Sequence, residues 1–248
     1  LGVAAAGRAS WTLKRRDVLM FALLGIANQA IYLGVGYVGL LSISSGLSVL
    51  IFSCNPIITA VLAAFVLDER LTWGKIVGLV LGIAGVAFIV ESRLSAGTDH
   101  LQGIVLTVIA TISFVGGTIV FKRYAPKDGL WIGNGIQSLA AGIALLPFSL
   151  AFESIGDIVP SWRLLEAFAF LVLIVSVVAY LLWFKILTVL GATAASSYYF
   201  LMPPVGMLMG WLLLGERVAF SDLLGIIPVV LGIYLVTRPS KTDDRRTA

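Results

Sequence analysis

The chain has 248 residues, of which 59% are hydrophobic and only 12% charged, with a formal net charge of +4. Soluble domains carry roughly 25% charged residues, interleaved with apolar positions. Here fifty consecutive residues between Asp17 and Asp68, and thirty between Lys185 and Glu216, carry no charge, which excludes a soluble enzyme, a nucleic-acid-binding domain and a disordered chain and leaves an all-α, polytopic membrane helix bundle.

A helix that crosses the hydrocarbon layer needs about 20 apolar residues. Charges, prolines and polar clusters divide the chain into eight such spans, and no ten-residue alternation of a membrane β-barrel is present. The first span, 18–38, holds Asn28, Gln29 and Tyr32 near its middle. The second, 43–66, has Ser44, Ser45 and Ser48 near its start and Asn55-Pro56 at its centre. A short turn with Glu69 and Arg70 leads to the third, 73–90, where Gly74, Gly78 and Gly82 mark one face. Ser113 lies in the fourth span, 101–121; Asn134, Gln137 and Ser138 share one side of the fifth, 129–151. Tyr180, Trp183 and Lys185 fall late in the sixth, 165–187. The seventh, 192–214, carries Ser196, Ser197, Tyr198 and Tyr199 before Pro203-Pro204, with Gly206 and Gly210 beyond; Glu216 and Arg217 precede the eighth, 219–237. Residues 239–248 form a polar tail.

Loop charge sets the expected orientation. With the N-terminus in the cytoplasm, 14 of the 17 Lys and Arg residues fall on the cytoplasmic side. Both termini are then cytoplasmic.

An offset of 147 aligns Pro56 with Pro203, Leu67 with Leu214, Glu69 with Glu216, Arg70 with Arg217, Gly78 with Gly225 and Gly85 with Gly232, without a gap. The second span thus repeats as the seventh. Five spans per copy is an odd number, so the copies are inverted in the membrane, a recurring transporter architecture. The second copy starts near Leu101. The first copy, 1–100, supplies spans three to five only, and by the offset it would start about 46 residues before Leu1. The expected unit is five plus five spans, with two helices preceding those seen and Leu1 to Ala6 as the last turn of the second. The second copy, 101–238, has all five.

Leu214-Gly215-Glu216-Arg217, the mid-span proline before it and the Gly-rich span after it resemble the EamA-type members of the drug/metabolite transporter superfamily. Leu67-Asp68-Glu69-Arg70 is similar, with Asp in place of Gly. The resemblance implies a ten-helix inner-membrane carrier, often an exporter of amino acids or other small metabolites.

Polar groups in hydrocarbon face a cavity or another helix. Asn28, Gln29, Tyr32, Asn55, Pro56, Ser113, Tyr180, Trp183, Tyr199 and Pro203 are the candidate lining of a substrate cavity, formed by the first, second, fourth, sixth and seventh spans. Each proline removes a backbone hydrogen bond and kinks its helix. Lys185 is a candidate contact for a substrate anion, against the commoner reading of a lysine that snorkels to the headgroups. Glu69, Arg70, Glu216 and Arg217 are read as structural turn residues, each Glu favouring the start of the helix that follows it. The glycine stripes are read as helix packing, with a homodimer as the weaker reading. A single cysteine and a single histidine cannot build a disulfide or a multi-histidine metal site. No nucleophile, zinc or phosphate-loop motif is present, so neither catalysis nor a cofactor is expected. The expected partners are a small-molecule substrate and the lipid bilayer. The rival reading is a truncated or accessory membrane protein without independent transport.

Overall fold

The computed structural model describes residues 14–91, 100–125, 130–154, 156, 158–214 and 220–238. Every element among them is helical. We number eight helices: α1 (Arg15–Leu40), α2 (Ser45–Val66), α3 (Trp73–Glu91), α4 (Leu101–Tyr124), α5 (Leu130–Phe152), α6 (Trp162–Leu190), α7 (192–214) and α8 (Phe220–Thr237). They match the eight expected spans. The first six are each long and apolar enough to cross a membrane. Leu1 to Ala6, Glu216, Arg217 and the tail 239–248 lie outside the described residues.

Local chemistry sets the helix starts. The Asp17 carboxylate accepts the Lys14 amide at 3.0 Å and opens α1. Ser44 and Ser161 cap α2 and α6 by accepting the amides of Leu47 and Leu164, which satisfies donors that the first turn leaves without partners.

Four helices depart from α geometry, and they do so in matched pairs. α1 winds as a wider π-helix over Ile26–Val35, and α6 over Leu171–Ala179. α2 breaks at Cys54, and α7 tightens to a 3-10 turn over Tyr198–Leu201. The 147-residue offset carries Cys54 to Leu201 and puts the two π segments in overlapping register. Pro56 and Pro203 follow the breaks directly, in the first turn of the helix that resumes. There a missing N–H costs little.

Glycine sets the closest approaches. α3 and α8 pack antiparallel. A β-carbon on Gly78 would lie 2.6 Å from the Gly232 carbonyl oxygen, and one on Gly85 would lie 2.8 Å from that of Gly225. Each glycine therefore meets the repeat counterpart of the other, the exchange that a two-fold axis between equivalent helices generates. The other stripe differs: Gly206 has open space where a β-carbon would go.

Helix directions follow from paired contacts. α1 opposes α4, with Gly39 on Thr107 and Gly117 on Asn28; it runs parallel to α5, with Phe21 on Gly133 and Gly34 on Leu145. Lys14, Arg15, Arg16, Arg70, Lys75, Lys122, Arg123, Lys185 and Arg238 consequently gather at one end of the bundle, here called the basic end, while Arg163 lies at the other. Burial is uneven. In its most apolar stretch 33% of α1 is buried, against 6% of α6.

Asp68 explains one departure from the repeat. Its φ is +56°, in the left-handed region that favours glycine, and the second copy has Gly215 there. Removing the β-carbon relieves a cost that is tolerated but not absent in Asp. Asp68→Gly is expected to stabilise the fold by up to about 1 kcal/mol, read as a higher thermal midpoint in detergent. Asp68→Val should lower it.

Candidate substrate cavity

A cavity of about 340 Å3 lies where the irregular segments meet. The α1 π segment supplies Tyr32 and Leu33, α4 supplies Phe114, and α6 supplies Val175, Ala179, Tyr180 and Trp183. α7 adds Tyr198, Tyr199 and Met202 around its 3-10 turn. No lining residue carries a formal charge.

The wall is an aromatic cluster centred on Phe114. Its ring centroid lies 4.6 Å from that of Tyr32, 5.6 Å from Trp183 and 5.6 Å from Tyr199. Trp183 and Tyr199 meet edge to face at 5.4 Å. Such pairs contribute roughly 0.5–1.5 kcal/mol each beyond their burial, so the rings hold one another in place. Tyr32 also packs on Phe52 at 5.9 Å. That ring is the contribution of α2, one layer behind the lining; α2 itself does not line the cavity, in contrast to the five-helix lining expected from sequence.

The structure thus places Tyr32, Tyr180, Trp183 and Tyr199 in the lining and leaves the other candidates outside it. Three polar side chains, Tyr180 among them, serve the π segments. Ser113 donates to the Ala27 carbonyl at 2.9 Å and Tyr180 to the Asn28 carbonyl at 2.9 Å, both on α1; Asn134 donates to the Ser176 carbonyl at 2.8 Å on α6. A helix that changes its winding presents carbonyls to side-chain donors, and these residues fill that role. Asn28 turns its side-chain oxygen onto Gly117. Asn55 accepts from Thr59 at 3.0 Å. Pro56 and Pro203 are buried in their helix starts. The side-chain Asn28 Oδ1, Gln29 Nε2, Asn55 Nδ2 and both amide atoms of Gln137 are buried and have no hydrogen-bond partner among the described residues.

Lys185 is exposed and outside the lining. Two positions along a helix turn a side chain by about 200°, so with Trp183 facing the cavity, Lys185 faces away. Lys122 is a basic group with defined partners: it donates to the carbonyls of Leu187 and Thr188 at 2.9 and 3.0 Å. Glu69 does cap a helix, but not the one that follows it: it accepts the amides of Ala192 and Thr193 at 2.7 and 3.1 Å, at the start of α7. Arg70 is exposed. Among the described residues no cluster of His, Cys, Asp or Glu could hold a metal ion.

Phe114, Tyr198 and Met202 were not expected in the lining. An apolar residue inside an apolar span carries no signal of its own; Phe114 could have been suspected only from its place beside Ser113.

The sequence pattern of the EamA-like transporter family matches residues 1–91 and 101–238. Among curated proteins, an uncharacterized transporter of Archaeoglobus fulgidus is 29% identical, over 91% of this chain and 80% of its own length. A probable amino-acid metabolite efflux pump of Salmonella typhimurium is 26% identical, over 77% of this chain and 67% of its own. An S-adenosylmethionine/S-adenosylhomocysteine transporter of Chlamydia muridarum is 27% identical, over 92% and 75%. One crystal structure superposes with a TM-score of 0.80 at 16% identity, covering 99% of this chain and 83% of the other, a likeness of fold.

Proposed function

The chain belongs to the EamA-like transporter family, and from that premise we propose that it is a secondary transporter that exports a small metabolite by alternating access. It is a multi-pass membrane protein, and the family handles small molecules. The finer reading is carried by one observation: an uncharged aromatic cavity set where two π-wound and one 3-10-wound helix converge. Irregular backbone at membrane depth is tolerated where it is buried or lines a cavity, and discontinuous helices at the repeat interface are where such carriers hold substrate. Helices of both repeat copies, 1–100 and 101–238, move in this reading, in an inner membrane with both termini cytoplasmic.

The substrate has an apolar or aromatic part that packs against Tyr32, Phe114, Trp183 and Tyr199. Amino acids and their derivatives satisfy that description, and the names of two of the relatives above point the same way. The buried amides of Asn28, Gln29 and Asn55 would gain partners when the helices move. In cells producing the full-length protein, Trp183→Ala and Tyr199→Ala should each lower resistance to the exported metabolite at least tenfold at unchanged membrane abundance. Replacement of Asn28 and Gln29 by leucine should lower it less. Unchanged resistance in both aromatic variants would remove the cavity from the pathway.

A further inference from the structure

The basic end of the cavity is closed in two layers. Nearest the aromatic cluster is a core of Ala63, Phe121, Phe184, Leu187, Ala192 and Ala195, all buried. Phe121 and Phe184 stack there with centroids 4.2 Å apart. Outside it lie three charged side chains that the cavity does not use. Each bonds to a backbone group at the end of another helix.

The α6–α7 corner is a tight one, at Gly191, where φ is +88°. The corner exposes two sets of backbone groups that helix ends leave without partners: the last carbonyls of α6 and the first amides of α7. The Lys122 ammonium, on α4, takes the carbonyls of Leu187 and Thr188. The Glu69 carboxylate, just beyond α2, takes the amides of Ala192 and Thr193. Both charges have the sign that the adjoining helix dipole favours. Gly191 permits this approach, since a β-carbon there would lie 2.9 Å from Glu69 Oε1. Arg123 completes the circuit by donating to the Val66 carbonyl at the end of α2. The ends of α2 and α4 are thereby tied to each other and to the α6–α7 corner, across the mouth that would have to part.

We propose that Glu69, Lys122 and Arg123 form the latch of the gate at the basic end, and that the α6–α7 corner leaves α2 and α4 when this latch releases. The proposal rests on the transport reading for its purpose, but not for its test. The ties are to backbone, so they depend on the position of the helix ends and not on side chains that would shift with substrate. A corner held by charge-assisted bonds can let go and re-form, whereas the core beneath it only separates once the corner has moved.

The test uses full-length protein in vesicles, with Cys54→Ser and Ala195→Cys, so that one thiol sits in the closed core. A membrane-impermeant maleimide is added to one face at a time. Lys122→Met and Glu69→Gln should each raise the labelling rate at least fivefold from the face that bears the basic end, and leave it unchanged from the other. Lys122→Arg, which keeps a donor, should label as the parent does. Unchanged rates in folded Lys122→Met and Glu69→Gln would overturn the latch, and so would an equal rise from both faces, which is general loosening. Glu69→Gln keeps the side-chain shape and carries the test if Lys122→Met does not fold. Labelling needs no substrate. Face-specific labelling with no flux of any metabolite would therefore sink the transport reading and leave the gate standing.

Discussion

Gly232→Leu is expected to yield no folded bundle in detergent, while Gly142→Ala keeps the parent unfolding midpoint or raises it. A β-carbon at Gly232 would sit 2.5 Å from the Gly78 carbonyl oxygen and 2.7 Å from the Gly82 backbone nitrogen. Both obstacles are backbone of a neighbouring helix, so relief requires α3 and α8 to separate. Overpacking of this kind costs about 1–3 kcal/mol for a single added carbon and more when a branched side chain follows. α3 and α8 also hold the second buried core, with Val86, Ile89, Val229 and Val236, so a shift there is not local. Gly142 has nothing within 4 Å of a β-carbon, and alanine there gains helix propensity worth up to about 1 kcal/mol. The comparison is made by chemical unfolding in one detergent. A Gly232→Leu protein with the parent midpoint would mean that the α3–α8 crossing is not a structural axis.

Ala179→Trp is expected to abolish export while leaving membrane abundance and unfolding midpoint unchanged. Ala179 lines the cavity but is exposed, so a large ring placed there fills the space without entering a packed core. A bulky residue in a cavity of about 340 Å3 removes much of the room for a small metabolite. Resistance of producing cells should fall to the level of cells without the protein. Ala179→Val should retain most of it. This variant differs in kind from Trp183→Ala, which removes a wall and reports on contact with substrate; loss in both leaves the cavity as their shared cause.

Much of the fold was legible in the residues. Fifty uncharged positions announce spans, and the shared Glu-Arg pair, proline and two glycines announce the repeat. The glycines proved more informative than their stripe suggested. Gly78 and Gly85 matter because Gly232 and Gly225, the repeat counterparts of Gly85 and Gly78, lie opposite them, which neither helix discloses alone. The site was less legible. Ser113 and Asn134 are polar in apolar spans, as cavity residues would be, but the same cost is met by bonding a π-helix carbonyl. No local propensity marks where a helix will widen, so that use was hidden. Glu69 shows the limit of neighbourhood reasoning. It was expected to favour the helix four residues on and instead caps one more than a hundred residues away, because the close approach at Gly191 exists only in the folded bundle. Phe114, at the centre of the cluster, was hidden for the opposite reason: it is an ordinary residue for its span.

The central claim is that this protein carries a small molecule through the aromatic cavity by alternating access. Trans-stimulated flux tests it most directly. Full-length protein is reconstituted in liposomes loaded in turn with radiolabelled amino acids and S-adenosylmethionine. Efflux is then followed with and without the same unlabelled compound outside. The account predicts that at least one compound leaves saturably, faster with unlabelled compound on the far side, and not at all with Ala179→Trp. Flux of none above protein-free liposomes, or flux indifferent both to the far side and to Ala179→Trp, would contradict it.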